Sequence, residues 1–198
     1  KMLAKDLIDF EKDIADIFNR AQIRAPIHLH GNNENQLLKI FENINSEDWI
    51  FSSWRSHYHC LQKGVPPKQL KKDILDGKSM TLLYPEYKIY TSAIVAGVIP
   101  IALGTALSLK RDGKNEKVYL FMGGMTSETG AAHEAHKYAT SHDLPLEFIV
   151  EINHKSVCTD TLKTWNMDKY SLVGKKNVTH YEYDLPWPHA GSGIRVQF

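Results

Sequence analysis

A chain of 198 residues with 42% apolar and 24% charged side chains can bury one sizeable core, which excludes disorder as its default state. Its 24 basic and 23 acidic side chains leave a net charge of +1, so no global field directs it to nucleic acid or to an anionic membrane. Cys60 and Cys158 are isolated thiols, and no charged leader followed by an apolar core opens the chain; together these predict a cytoplasmic protein without disulfides.

Leu3, Leu7, Phe10, Ile14, Ile17 and Phe18 recur at helical spacing, and Lys5, Glu11, Lys12 and Asp13 fall on other faces. The pattern predicts an amphipathic helix over 2–20 that packs on its own domain. A second helix is expected over 34–43, a short strand over 49–52, and a third helix over 55–62 ended by Lys63-Gly64. Pro66-Pro67 opens a fourth, stopped by Gly77. The stretch 79–93 has little periodicity and reads as a surface loop. The apolar run 93–109 is broken by Gly97, Pro100, Gly104, Thr105 and Ser108, and it falls short of the roughly 20 apolar residues a membrane span needs. It predicts a buried loop and a helix over 99–110. Strands over 118–122 and 146–150 flank a helix over 131–141, the spacing of a crossover between parallel strands. The turn-rich run from Pro186 to Gly193 precedes a segment, 194–198, that reads either as a last edge strand or as a docking tail. The whole predicts one α/β domain over 1–198, a mostly parallel sheet sandwiched by helices, with a turn-rich tail from about residue 166.

Ligands of open parallel sheets gather at the carboxyl ends of the strands. Gly123-Gly124 follows one predicted strand and Asn153 the next, so both face one crevice. Glycines there let the backbone approach a phosphate, and the helix entered near Gly130 can aim amide groups at it; a plain tight turn needs the same pair. The histidines invite a metal reading. A zinc helix places its histidines four apart, whereas His133 and His136 are three apart, so hydrogen-bonded histidines are expected ahead of a zinc hydrolase. Lys68, Lys71 and Lys72 read as a solvated helix face, and Cys158 as structural.

The run Val118-Tyr119-Leu120-Phe121-Met122-Gly123-Gly124-Met125-Thr126-Ser127-Glu128, followed by Leu144-Pro145-Leu146-Glu147-Phe148-Ile149-Val150-Glu151-Ile152-Asn153, resembles the thiamine-diphosphate motif of the alpha subunits of 2-oxo-acid dehydrogenases and of transketolase-like proteins. Trp54-Arg55-Ser56-His57 resembles the family's aromatic-arginine-x-histidine element, Gly77-Lys78-Ser79-Met80 its G-x-S-M loop, and Ile94-Val95-Ala96-Gly97 its pyrimidine-contacting turn. These elements stand in the family's order across roughly residues 20 to 165.

The resemblance implies a thiamine-diphosphate-binding fold of the diphosphate-binding type and assigns roles. Arg55 would contact the diphosphate, a task suited to a guanidinium with several fixed donors. The backbone of Ala93 and Val95 would meet the aminopyrimidine, and Gly123, Gly124, Met125 and Thr126 would form the diphosphate turn. His57 would stand at the reacting end of the cofactor as the catalytic residue. Asn153, by its side chain, and Lys155, by its carbonyl, would hold the Mg²⁺ that bridges the diphosphate. The remaining protein ligand is an aspartate in the family, and this chain has Gly124 there. Mg²⁺ demands a tight octahedron of oxygens, so metal-assisted binding is expected to be weakened. Asn32, Ile152 and His154 also depart from the family pattern. The implied substrate is a 2-oxo acid or a ketose, with a lean toward a transketolase-like system, and no nucleic acid or membrane. A separate beta-type subunit would carry the pyrimidine domain, giving an alpha2beta2 heterotetramer. The alternative is a non-catalytic structural subunit that has lost Mg²⁺-cofactor binding through Gly124.

Overall fold

The computed structural model describes residues 2–197. Helix α1 (Ala4–Asn19) turns Leu7, Phe10, Ile14 and Ile17 inward, as its spacing requires, and buries Glu11 among them. Helix α2 (Glu34–Phe41) and strand β1 (Trp49–Ser52) follow. Helix α3 (His57–Lys63) begins after Ser56 and stops at Gly64, whose φ of 101° belongs to the left-handed region. Helix α4 (Pro67–Leu75) has Pro67 in its first turn, where a missing N–H costs nothing.

The stretch expected as a surface loop contains sheet. Strands β2 (Leu83–Tyr84) and β3 (Ile89–Thr91) flank a 3-10 turn, and β3 lies between β2 and β1. Leu82, Tyr84 and Ile89 are buried there, and the Tyr84 hydroxyl donates to Asp73 at 2.7 Å. Strands this short carry too few alternations for a period of two to be legible. Helix α5 (Val98–Arg111) takes the apolar run; among the described residues no helix is long and apolar enough to cross a membrane.

Strand β4 (Val118–Gly123), a short turn of helix α6 (Gly124–Ser127), helix α7 (Gly130–Ser141) and strand β5 (Leu146–Ile152) make the expected crossover. Thr129 caps α7 by accepting from the Ala132 amide. A small hairpin, β6 (Lys155–Ser156) with β7 (Thr159–Asp160), and helix α8 (Thr161–Trp165) lead to β8 (Val178–Glu182). The described residues build a six-stranded sheet in the order β2-β3-β1-β4-β5-β8, parallel except for β2.

Strand alternation divides the core between the two faces of this sheet. Val118, Leu120, Met122, Phe148 and Val150 pack with α5 and α7, while Tyr119, Phe121 and Ile149 pack with α1, α2 and α3. Burial on both faces is why β4 and β5 read as nearly continuous apolar runs. The edge strand β8 escapes that signature, because His180 and Glu182 are exposed and Tyr181 supplies its buried anchor. The tail therefore begins after β8. It folds back over the sheet: Tyr183 N donates to Ile152 O at 3.0 Å, Trp187 Nε1 to His30 O at 2.8 Å and Gly191 N to Ile27 O at 2.8 Å. Residues 194–197 form no strand, and Phe198 lies outside the described residues.

Candidate active site

The carboxyl ends of β1, β4 and β5 open into a cleft. Arg55, Val95, Gly123, Met125, Thr126, Asn153 and Lys155 all line it, although they come from well-separated parts of the chain. Parallel register explains the convergence: β4 runs beside both β1 and β5, so their following loops rise on one side of the sheet. Ala93 is exposed at the start of the 93–97 turn and does not line the cleft. Ser53, Trp54, Glu151, Ser156, Tyr183 and His189 complete the wall. Of these, Glu151 left a trace in the sequence, as a charge inside an apolar strand; Tyr183 and His189 reach the cleft through the folded tail, which no local pattern encodes.

The paired glycines behave differently. Gly123 is extended, with φ −72° and ψ 160°, and a Cβ built on it meets nothing within 4 Å. Neither backbone strain nor packing demands a glycine there, so what its missing side chain provides is a low wall open to a ligand. Gly124 does not line the cleft. Its side-chain direction points into the protein, where a Cβ would lie 2.7 Å from Cε1 of Tyr170.

Arg55 is held by donating from Nε to Leu29 O at 3.0 Å and from Nη2 to His189 O at 3.1 Å. The guanidinium thus joins the strand-side loop to the tail while facing the cleft, and a fixed fork of donors is what phosphate recognition uses. It also acts on the rings around it. Burial first, then the charge of Arg55, pushes His28 down to about 3, and the same causes lower His189. Both rings are held neutral at the edge of the site.

Glu151 is buried but not alone. It accepts from the Tyr181 hydroxyl and lies 3.3 Å from Nε2 of His59, whose Nδ1 is 2.9 Å from Ser52 Oγ. Tyr181 in turn accepts from Asn33 Nδ2 at 3.0 Å. Burial and the Glu151 carboxylate raise the Tyr181 hydroxyl, which therefore remains a donor.

His57 stands outside the cleft. It is wholly buried, with Nδ1 at 3.0 Å from Glu11 Oε2 and Nε2 at 2.8 Å from Ser79 Oγ. Both nitrogens are committed to the protein, and the arrangement ties α1, α3 and the 77–80 loop together. His133 and His136 also separate: His133 faces Glu128 at 3.8 Å, and His136 Nε2 bonds Lys176 O at 2.8 Å.

The diphosphate end of a cofactor fits this cleft better than a metal does. Gly123 is open, and Arg55 and Lys155 supply positive charge. Asn153 Oδ1 accepts from the Lys155 amide at 3.3 Å, which fixes the loop where both would meet an ion. Gly124, where the resemblance put the metal carboxylate, stands off the cleft, and among the described residues no group of three or more His, Cys, Asp or Glu could hold a metal ion. Asn32 has φ 62°, a left-handed conformation that asparagine tolerates.

Comparison with known proteins finds a family and relatives for this chain. The model of the Dehydrogenase E1 component family matches residues 3–178. The alpha subunit of acetoin:2,6-dichlorophenolindophenol oxidoreductase from Cupriavidus necator is 30% identical over 155 residues, covering 73% of this chain and 46% of that protein. The alpha subunit of the pyruvate dehydrogenase E1 component from Rickettsia bellii is 27% identical over 172 residues, covering 81% and 53% respectively. The acetoin:2,6-dichlorophenolindophenol oxidoreductase alpha subunit of Bacillus subtilis is 25% identical over 205 residues, covering 92% and 61%. The chain spans about half the length of the curated relatives it matches. A match over residues 3–178 of the chain shows its family: the chain belongs to the Dehydrogenase E1 component family.

Proposed function

We propose that this chain is the diphosphate-binding part of an alpha-type subunit, cytoplasmic, that works with a separate beta-type subunit on a 2-oxo acid or a related small ketone. The observation that carries the reading is the meeting of Arg55, Gly123, Asn153 and Lys155 at one end of the sheet. The names of the relatives favour dehydrogenase-type chemistry over the transketolase-like system that the sequence leaned toward. When bound, thiamine diphosphate supplies a carbanion that attacks the substrate carbonyl. The chain's own residues would anchor its charged end. Arg55 and Lys155 would meet the phosphoryl oxygens, Gly123, Met125 and Thr126 would form the floor, and Val95, with Ala93 beside it, would contact the aminopyrimidine. His57 orients the 77–80 loop from behind the wall. The partner subunit completes the site, in an alpha2beta2 arrangement.

Gly124 favours a second reading, a structural subunit that keeps the fold and the partner surface without binding cofactor. Calorimetric titration of thiamine diphosphate into the chain assembled with its beta-type partner separates the two. Saturable micromolar binding that is lost in Arg55→Ala supports the first reading, and absence of heat under every metal condition supports the second.

A further inference from the structure

Tyr183 and His189 line the cleft, yet both lie beyond residues 3–178, the part of the chain that the family model matches. The wall they form is a built one. Gly31 has no positive φ that would call for a glycine, and what excludes a side chain there is the tail: a Cβ would lie 2.6 Å from Cγ and 2.9 Å from Cδ of Pro186, and 3.2 Å from Nε1 of Trp187. A proline ring cannot swing aside as the end of a long side chain can. On either side of this seat the tail is bonded down, by Asn32 Nδ2 donating to Asp184 O at 2.9 Å and by Trp187 Nε1 donating to His30 O at 2.8 Å. Just beyond, Arg55 Nη2 holds the His189 carbonyl at 3.1 Å. The ring of His189 is thus placed by its backbone, and it stands edge-on to His28 with centroids 4.9 Å apart and to Trp54 at 6.2 Å. Both nitrogens of His57 and of His59 are committed to the fold; among the described residues neither ring nitrogen of His189 makes a hydrogen bond.

Resting on the functional reading above, we infer that His189 is a ligand-contacting residue of the cleft, its ring donating to a phosphoryl oxygen beside Arg55 and Lys155, and that Gly31 is the positioning residue that lets the tail bring it there. His189 shares the cleft with both cationic side chains, and it shares the adjoining hollow with Asn153 and Lys155. It therefore sits at the junction where they converge. Burial, and then the charge of Arg55, keeps the ring neutral, which leaves it one N–H to give. A donor that the fold does not use gains most when its acceptor is an anion. His57, the histidine that the resemblance put at the site, is sealed behind the wall, and the histidine that lines the cleft comes from the tail instead.

The test uses the chain assembled with its partner subunit, as wild type, His189→Ala, His189→Gln, Gly31→Ala and the double variant Gly31→Ala with His189→Ala. Trp187→Phe, which gives up the bond to His30 O, replaces Gly31→Ala if that protein does not fold. Inorganic diphosphate is titrated calorimetrically, and cleavage of the 186–195 segment is followed by limited proteolysis. His189→Ala is expected to weaken diphosphate binding by about tenfold, the worth of one hydrogen bond to a charged group. Its tail is cut no faster than in wild type, because the bond to Arg55 is made by the backbone. His189→Gln keeps a donor and restores most of the affinity. Gly31→Ala is cut faster and binds as weakly as His189→Ala, and the double variant binds no more weakly than either. The inference is overturned if His189→Ala binds diphosphate as wild type does, if its loss comes with faster cleavage and glutamine does not restore it, or if the two substitutions add in the double variant. Wild-type binding with an indifferent His189 leaves the functional reading standing and removes the inference alone. If wild type binds no diphosphate, the functional reading fails and the contact fails with it.

Discussion

Nδ1 of His57 lies 3.0 Å from Oε2 of Glu11, with both side chains sealed from solvent. Glu11 also accepts the His30 amide at 3.0 Å, so a carboxylate on the first helix fixes both a histidine of α3 and the 28–31 segment. Removing one member strands the others. Glu11→Ala is expected to cost about 3–5 kcal/mol of stability. Urea unfolding measures it, and a loss near zero would mean that the pair contributes nothing to the fold.

Stability should fall on the acid side of neutrality. His28 is pushed down to about 3 by burial and by Arg55, and burial likewise holds His30 below its ordinary value. Each ring is neutral when folded and titrates near 6.5 when unfolded, so below about pH 6.5 the unfolded chain binds more protons and is favoured. The contribution is complete above that pH and is lost progressively toward pH 3. Melting temperature against pH should therefore rise from pH 4 to a plateau near neutrality, and His28→Gln should flatten the curve; an unchanged slope in that variant counts against the assignment.

Arg55 has a structural and a binding task, and the two separate by substitution. Arg55→Ala gives up the bonds to Leu29 and His189 carbonyls, with an expected loss of about 1.5–3 kcal/mol. Limited proteolysis should then cut the 186–195 segment earlier than in wild type. Arg55→Lys keeps the charge without the planar fork, so it should retain part of the affinity for inorganic diphosphate while the tail is still released.

Gly123→Ala is the counterpart. With open space at its Cβ and an ordinary φ, the substitution should change stability by less than about 1 kcal/mol. The added methyl faces the cleft, so diphosphate affinity should drop although the protein is intact. Calorimetry and thermal unfolding on the same sample check both halves, and unchanged affinity would remove Gly123 from the ligand-facing wall.

Much of this architecture was legible because burial leaves periodic traces. Leu7, Phe10, Ile14 and Ile17 mark α1, and the apolar runs of β4 and β5 mark strands covered on both faces. Strands β3 and β8 were not, one being too short to alternate and the other exposing most of its side chains at the sheet edge. Of the cleft lining, Gly123 and Asn153 could be placed on one side of the sheet because each follows a strand, whereas Arg55 was singled out by the resemblance alone. The placements of His57, Gly124 and His189 were not legible, because each depends on a partner remote in sequence: Glu11 and Ser79, Tyr170, and Arg55.

The contact between Arg55 and the His189 carbonyl joins positions 134 residues apart. During synthesis the strands that carry Gly123 and Asn153 leave the ribosome well before the segment that forms the opposite wall. Local pairing of β4 with β5 across α7 can form early, but the cleft waits for a long loop to close, at an entropic cost that local contacts do not meet. The side of the cleft that His189 supplies is thus added only after β4 and β5 have been made.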